Sequence, residues 1–111
     1  MGRIEAILLA AGYSSRMGRL KPLLPIGGTT VIRRQAEVLD GLTDRTIVVT
    51  GYRGDEVEAH LSGSRVTTVR NQAFAEGMFT SVKAGILALD QEVSAFLILP
   101  VDYPLVTRSL I

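Results

Sequence analysis

Short apolar runs alternate along the chain with stretches in which apolar residues recur at helical spacing. Four runs, 4–9, 46–50, 66–69 and 95–99, predict β-strands. The second run is β-branched throughout and is typical of a buried strand, whereas the third alternates and indicates a place nearer an edge. Strands that alternate with helices predict a parallel sheet with right-handed crossovers.

Three segments between these runs predict helices. The first helix is predicted over residues 30–42, with Thr29 or Thr30 as its N-cap. Residues 54–61 and 78–89 predict two further helices. Each set of apolar positions predicts the helix face that packs on the sheet. These positions are Val31, Ala36 or Gln35, Val38, Leu39 and Leu42 in the first segment, Val57 and Leu61 in the second, and Met78, Val82, Ile86 and Leu89 in the third.

Composition narrows the class of protein. The chain has 111 residues, a net charge of +1 and no cysteine. The length fits one domain over 1–111. The low net charge argues against the basic stripe of a nucleic-acid-binding protein, and without cysteine the chain has neither a disulfide framework nor a thiolate metal site. The N-terminus lacks the apolar segment of a signal peptide, and no apolar run reaches the roughly 20 residues that span a bilayer. We therefore expect a cytoplasmic protein.

The most informative segment follows the first predicted strand. Gly12 opens a loop that Gly18 closes, and the cations Arg16 and Lys21 stand at short spacing in and after it. Glycines let the backbone approach a ligand, free N–H groups of such a loop bind anions, and the two cations can neutralise a polyphosphate. The pattern is neither a P-loop nor a dinucleotide fingerprint. An ordinary loop with two solvated cations is the alternative interpretation.

A second candidate is Asp102, which follows the fourth predicted strand between Pro100 and Pro104. The prolines stiffen the backbone around the carboxylate. One carboxylate together with phosphate oxygens is a typical arrangement for Mg²⁺, because this cation keeps several waters. On these residues alone, a proline-bounded turn is the more common explanation.

A third candidate is the segment 71–81. Asn71 can both donate and accept, which suits the edge of a base or ribose. Gly77 permits close approach at the start of a helix, and Ser81 presents a hydroxyl where the helix N-terminus favours anions. A helix entry with Thr80 or Asn71 as capping groups explains the same residues equally well.

The Gly12 loop, Asn71 and Asp102 each follow a predicted strand, and Thr50 is the last residue of the second one. Ligands of open parallel sheets bind beyond the carboxyl ends of the strands. The candidate residues were chosen for their chemistry rather than for their place in the strand pattern. Their agreement with this rule therefore supports a ligand site at that edge.

The string from Leu9 to Pro25 resembles the signature L-A-A-G-x-S-x-R-M-G-x-x-K-x-L-L-P of the MobA-like nucleotidyltransferases, and every fixed position is filled. Its Ala-Ala-Gly form is most similar to the branch of molybdenum cofactor cytidylyltransferases. Asp102 matches the metal-binding aspartate of the family's D-x-P segment, although Tyr103 stands where the family often has Met or Gln. Residues 71–81 resemble a family segment that borders the nucleotide.

The resemblance implies an α/β fold, a Rossmann-like three-layer sandwich with a mostly parallel sheet. It implies transfer of a nucleoside monophosphate from CTP or another nucleoside triphosphate to a phosphorylated acceptor, molybdopterin cofactor, with release of pyrophosphate. Arg16, Lys21 and Asp102 would be catalytic, with Mg²⁺ as cofactor on Asp102. The nucleotide-binding residues that it implies are Leu9, Ala10, Ala11, Gly12, Ser14, Ser15, Arg16, Gly18, Lys21, Thr50, Asn71, Gly77 and Ser81.

Two alternatives stay open. One is a cytidylyl- or uridylyltransferase for a sugar or alcohol phosphate, although the isoprenoid-pathway enzymes of this kind carry D-A-A-R-P where this chain has Asp102-Tyr103-Pro104. The other is a non-catalytic nucleotide-binding module. The domain of the resembling enzymes is longer than this chain. We therefore expect a fragment with an open sheet edge, through which copies can associate.

Overall fold

A parallel sheet of four strands organises the computed structural model, which describes residues 3–11, 23 and 25–101. In chain order the elements are β1 (Arg3–Ala10), β2 (Pro25–Ile26), β3 (Thr29–Thr30), α1 (Val31–Asp40), β4 (Arg45–Thr50), α2 (Gly54–Ala59), β5 (Val66–Arg70), a 3₁₀ helix (Phe74–Glu76), α3 (Met78–Leu87) and β6 (Val93–Pro100). The sheet order is β5-β4-β1-β6, and all its neighbouring pairs are parallel. The four predicted strands are confirmed, and β5 lies at one end of the described sheet.

Helices cover both faces of the sheet. On one face, alternate residues of β1 and β4, such as Leu8 and Val48, pack in a cluster with apolar side chains of α1 and α2. On the other face, Ile7, Ile47 and Val49 pack with side chains of α3. The sheet is thus the middle of three layers, and the predicted Rossmann-like α/β sandwich is confirmed. Its central strands are apolar on both sides because neither side meets water.

The face of α1 that packs on the sheet agrees with the prediction at Gln35, Ala36 and Leu39 and adds Ile32. The side chain of Thr30 caps the helix, accepting from the Arg33 N–H at 3.4 Å. The buried residues are then Ile32, Gln35, Ala36 and Leu39, at a spacing that follows one face of a helix. The prediction was wrong at Val38 and Leu42, whereas Val31 is half buried and packs against the core cluster.

The face of α3 also differs from the prediction. Its buried residues are Ser81 and Gly85, while Met78 is 62% exposed and Ile86 is 43% exposed. Gly85 explains the difference, because a Cβ built on it would lie 2.5 Å from Ile7 Cγ2 and 3.3 Å from Val49 Cγ2. The helix therefore approaches β1 and β4 through its smallest residues. Val82 and Leu89 still pack against the sheet, but Met78 and Ile86 do not face it.

Two short elements were not predicted from the periodicity. β2 and β3 pair as an antiparallel hairpin whose turn residues, Gly27 and Gly28, have φ angles of 52° and 84°. Glycine adopts these left-handed values without steric cost, so the Gly-Gly pair sets the turn. The 3₁₀ helix at Phe74–Glu76 lies between β5 and α3. It spans too few residues to produce a periodic signal.

A buried carboxylate joins the elements at the amino end of the sheet. Glu5 is fully buried in β1, and its Oε2 accepts from Arg3 Nε at 2.6 Å. Its Oε1 accepts from the Asp90 N–H at 3.1 Å and lies 3.5 Å from Arg45 Nη1. The same Arg45 group donates to the Ala88 carbonyl at the end of α3. A buried charge requires partners of this kind, and Glu5 has three.

The strand β6 is the exposed member of the sheet. It pairs with β1 along one side, and Phe96 and Leu97 are 42% and 39% exposed. Leu87 and Phe79 of α3 are 76% and 78% exposed. Within the described residues, this region therefore presents apolar side chains to solvent. None of the described helices combines the length and the apolar character that crossing a membrane requires.

Candidate functional site

The carboxyl ends of β1, β4 and β5 meet at one edge of the sheet, as predicted. Hydrogen bonds continue the strand pairing past the strand ends: the Tyr52 N–H donates to the Ala11 carbonyl at 3.0 Å, and the Asn71 N–H donates to the Thr50 carbonyl at 2.7 Å. On the other side of β1, the Val101 N–H donates to the Leu9 carbonyl at 2.9 Å. The backbones of four successive connections are thereby held side by side.

The structure places part of the predicted site. Leu9, Ala10 and Ala11 lie at the end of β1, Thr50 ends β4, and Asn71 follows β5. Gly77 and Ser81 lie at the start of α3, and the Asn71 side chain joins this region to the sheet. The remaining predicted residues lie outside the described part of the chain: Gly12, Ser14, Ser15, Arg16, Gly18, Lys21 and Asp102. Ala11 and Val101 are the residues that precede Gly12 and Asp102 in the sequence.

Gly51 allows the connection after β4 to lie against the end of β1. A Cβ built on Gly51 would lie 3.0 Å from Ala11 Cβ and 2.7 Å from Phe74 Cβ. Both neighbours are Cβ atoms, which are fixed to the backbone and cannot rotate away as the end of a long side chain can. The rings of Tyr52 and Phe74 meet edge to face nearby, with centroids 6.0 Å apart. A side chain at position 51 would push apart the connections that meet here.

Asn71 makes three side-chain hydrogen bonds at this edge. It is 7% exposed, and its Nδ2 donates to Thr80 Oγ1 and to Ser81 Oγ, each at 2.9 Å. Its Oδ1 accepts from the Ala73 N–H at 3.0 Å. The predicted ligand residues Asn71 and Ser81 are therefore bonded to each other. Whether either touches a nucleotide stays a prediction.

Gly77 forms the entry to α3. Its φ of 117° lies in the region that favours glycine, and the residue is exposed. The Thr80 hydroxyl reaches back to the Gly77 carbonyl at 2.7 Å and to the Ala73 carbonyl at 3.0 Å. The predicted helix entry at this place is confirmed. The side chain that organises it is Thr80, together with Asn71.

A second polar network links the ends of β4 and β5 to α2. The Thr50 hydroxyl donates to Glu58 Oε2 at 2.8 Å, and the Arg70 guanidinium donates to both carboxylate oxygens of Glu58 at 3.1 Å. Arg70 also pairs with Asp55 at 2.8 Å. Hydrogen bonds from Arg70 hold the pKa of the Glu58 carboxyl below its ordinary value, with a smaller contribution from Thr50, against the opposing effect of partial burial.

The Arg70 network was missed in the sequence. By residue type alone, Arg70 is interpreted as a surface charge and Asp55-Glu56 as a solvated helix face, so their pairing is not predicted. The pairing arises from the alignment of β5 with β4, which brings Arg70 beside Thr50. Gly54 at the start of α2 leaves room for Arg70, since a Cβ there would lie 2.7 Å from Arg70 Nε. Only the fold connects these two positions.

Gln35 of α1 holds the residue before Asp102. This side chain is 5% exposed, and its Nε2 donates to the Val101 carbonyl. Val101 is therefore fixed on both sides, by Leu9 through its N–H and by Gln35 through its carbonyl. Sequence periodicity identified Gln35 only as a possible core position. Its amide gives that position a second role at the edge of the sheet.

The described residues include no group of three or more histidine, cysteine, aspartate or glutamate side chains that could hold a metal ion. Glu58 and Asp55 are close to each other but are bonded to Arg70. A cation already neutralises both carboxylates, so they do not resemble a metal site. The predicted metal ligand, Asp102, lies outside the described residues.

Comparison with known proteins defines the class. The sequence profile of the MobA-like NTP transferase domain matches residues 6–111. The chain therefore belongs to the family of MobA-like nucleotidyltransferases, as its signature predicts.

Individual relatives place it more closely. The chain is 40% identical over 93 residues to the molybdenum cofactor cytidylyltransferase of Escherichia coli K12, an alignment that covers 83% of this chain and 48% of the relative. A nucleotidyl transferase from Methanothermobacter thermautotroptrophicus superimposes with a TM-score of 0.85 at 36% identity, over 96% of this chain and 54% of its own. The chain thus spans about half the length of these two relatives.

A third comparison concerns a metal complex. A protein from Mycobacterium tuberculosis H37Rv, solved in complex with manganese, superimposes with a TM-score of 0.72 at 25% identity. The match covers 97% of this chain and 55% of that protein. The shared fold therefore occurs in a protein that binds a divalent cation.

Proposed function

We propose that this chain is the nucleotide-binding part of a molybdenum cofactor cytidylyltransferase. In the reaction, an acceptor phosphate oxygen of molybdopterin cofactor forms a bond to the α-phosphorus of CTP. The bond from the α-phosphorus to the bridging oxygen of the β-phosphate breaks, and pyrophosphate leaves. The identity with the Escherichia coli enzyme supports this choice of donor and acceptor.

The observation that carries the proposal is the meeting of the strand ends. Ala11, which precedes the predicted phosphate loop, accepts a hydrogen bond from Tyr52, and Val101, which precedes Asp102, donates one to Leu9. The two motifs thus leave the same strand-end region on neighbouring strands. A triphosphate and its counter-ion need groups that converge in this way.

The chemistry requires positioning and charge neutralisation more than proton transfer. The acceptor phosphate is already an anion, so it needs little help from a base. Arg16 and Lys21 would bind the triphosphate and stabilise the charge that develops on the leaving pyrophosphate. Gly12 and Gly18 would let the loop backbone approach the phosphates.

Asp102 would hold the divalent cation. A single carboxylate fits Mg²⁺, since this cation takes its other ligands from phosphate oxygens and water. The manganese bound by the related mycobacterial protein supports a divalent metal in this family fold. When bound, such an ion neutralises phosphate charge and aligns the reacting groups. Val101, the residue before Asp102, is bonded to the end of β1 through the Leu9 carbonyl.

The decisive experiment compares turnover in matched variants. Pyrophosphate release is measured with CTP, GTP, UTP and ATP, Mg²⁺ and molybdopterin cofactor. Lys21→Ala should lose triphosphate use while its melting temperature changes little, and Asp102→Asn should lose the Mg²⁺-dependent turnover. Arg65→Ala and Asp40→Asn are the controls, because both residues are exposed and lie away from the carboxyl edge of the sheet.

Three results would redirect the proposal. Turnover by Asp102→Asn with the wild-type Mg²⁺ dependence would remove Asp102 from the site. Turnover with a sugar or alcohol phosphate but not with molybdopterin cofactor would favour the alternative transferase. Tight CTP binding without turnover on any acceptor would favour a nucleotide-binding module.

Self-association through β6 is a further part of the proposal. Phe96 and Leu97 are partly exposed on this strand, and an unpaired strand edge can pair with another chain. Light scattering on the 111-residue chain should show a species larger than a monomer. A stable, monodisperse monomer would contradict this part alone.

A further inference from the structure

Asn71 lies where β5 passes into the segment 72–77, which connects the sheet to α3. Its backbone continues the sheet, with its N–H donating to the Thr50 carbonyl at 2.7 Å. Its side chain turns away from β4 towards α3 and is 7% exposed. One residue therefore belongs to the sheet by its backbone and to the helix entry by its side chain.

The amide of Asn71 has no donor left for a ligand. A carboxamide carries two N–H hydrogens, and here they serve Thr80 Oγ1 and Ser81 Oγ, each at 2.9 Å. The Oδ1 atom accepts from the Ala73 N–H at 3.0 Å, which closes a turn of the kind that asparagine favours. Ser81 is 4% exposed, so this contact is shielded from water.

The bonds of Asn71 and Thr80 fix the whole of segment 72–77. Thr80 accepts from Asn71 and reaches back to the carbonyls of Ala73 and Gly77. Phe74 of the same segment lies beside Gly51 and packs in the apolar cluster that contains Ala11. The position of exposed Gly77 relative to the end of β1 therefore depends on buried Asn71 and Ser81 and on half-buried Thr80.

We propose that Asn71 is a positioning residue that holds Gly77 and the start of α3 at the nucleotide edge, and that it does not read the base. This inference rests on the proposed nucleotide site. It replaces the expectation, drawn from the chemistry of the amide alone, that Asn71 touches a base or ribose. The two roles differ in one measurable way. Substitution of a residue that reads the base changes the ratio of affinities between nucleotides, whereas substitution of a positioning residue lowers the affinity for every nucleotide.

The test uses binding of CTP, UTP, GTP and ATP by the full chain, with Mg²⁺ present, by calorimetry. Asn71→Ala should raise Kd for each nucleotide that the wild type binds by on the order of tenfold, with unchanged ratios between nucleotides. The reason is that the segment then spends only a fraction of its time in the binding position. Gln72→Ala is the matched control, since Gln72 is the neighbouring amide and is exposed.

A double variant tests whether the three side chains act as a unit. Thr80→Val with Ser81→Ala removes both acceptors while leaving Asn71 in place. Its Kd should rise by a factor similar to that of Asn71→Ala, and the triple variant should be little worse than either. This variant also covers the case in which Asn71→Ala fails to fold.

Hydrogen exchange separates failure of this inference from failure of the proposed function. Asn71→Ala should speed exchange of the Ala73 amide at least tenfold and leave β1 and β4 protected, whether or not any nucleotide binds. Unchanged exchange at Ala73 would overturn the positioning role. A changed ratio of CTP to GTP affinity would overturn it too, in favour of base contact. Unchanged nucleotide affinity in the double variant Thr80→Val with Ser81→Ala would also overturn the positioning role of Asn71.

Discussion

The two ends of the sheet are held by buried polar groups of opposite character. At the amino end, Glu5 is charged and is paired with Arg3, Arg45 and the Asp90 amide. At the carboxyl end, Asn71 is neutral and is bonded to Thr80, Ser81 and Ala73. A buried carboxylate with matching cations holds together the elements that supply its partners. Asn71 adds no charge of its own at the carboxyl end, where the described charged groups are Arg70, Glu58 and Asp55.

This difference separates stability from function within one fold. The amino end lies away from Leu9, Ala10 and Ala11, the described residues with which the family signature begins. The carboxyl end carries those three residues, together with Thr50 and Asn71. We therefore expect substitutions at the amino end to act on folding alone, and those at the carboxyl end to act on binding more than on folding.

The largest expected effect is at Glu5. Glu5→Ala should lower the free energy of unfolding by about 3 kcal/mol, because the Asp90 amide loses its acceptor and two guanidinium groups lose their counter-charge. Nucleotide affinity of the molecules that remain folded should not change. Chemical denaturation and calorimetry measure the two quantities. Glu37→Ala is the control, since that carboxylate is 60% exposed and should contribute less than about 0.5 kcal/mol.

A comparable loss of CTP affinity in Glu5→Ala would erase the contrast between the two ends. An equally large loss of stability in Glu37→Ala would mean that burial is not what gives Glu5 its effect.

An intermediate effect is expected at Gln35. Gln35→Leu fills a similar volume but leaves the Val101 carbonyl without its buried donor, which should cost about 2 kcal/mol of stability. Because Val101 precedes Asp102, kcat of the proposed transfer should fall even under conditions in which the variant is fully folded. Comparing kcat at a temperature where the variant is fully folded measures this loss. Loss of stability with kcat intact would show that Gln35 belongs only to the core.

The smallest effect concerns pH and Glu58. Since Arg70 lowers the pKa of this carboxyl in the folded protein, its contribution is fully present above the ordinary glutamate pKa. That contribution is lost as the pH falls through the lower, folded value. The pair is partly solvated, so the loss should be less than about 1 kcal/mol. Glu58→Gln should flatten the acid side of the stability profile, which unfolding curves between pH 3 and 7 can show; an unchanged slope would contradict the assignment.

The sheet could be predicted because its strands consist of consecutive β-branched and apolar residues. The β-branched residues 46–50 favour a buried strand over any other element. The N-cap at Thr30 could be predicted because a threonine hydroxyl accepts from a free N–H of the first helical turn. The face of α3 could not be predicted, because the closest approach to the sheet is made by Gly85, which periodicity arguments count as neutral. Large side chains such as Met78 gave the stronger signal and pointed to the wrong face.

The site shows the same division. Its location follows from strand order and from the signature, and the described part lies where both predict it. The roles of Asn71 and Arg70 depend on pairing across β4 and β5, which no local pattern contains. Glu5 was overlooked for a related reason: a glutamate in an apolar strand is informative only when its cations, far along the chain, are known to reach it.

The pairing of β1 with β6 also sets an order of assembly. β1 is made first and β6 last among the described strands, whereas β4 and β5 are made between them. Contacts between distant parts of a chain form late, both in refolding and during synthesis from the N-terminus. The Thr50 and Asn71 side of the edge can therefore form on β1 before residue 101 has left the ribosome. The hydrogen bond from Val101 to Leu9 then completes the edge, so we expect the side that holds Thr50 and Asn71 to assemble before the side that holds Val101.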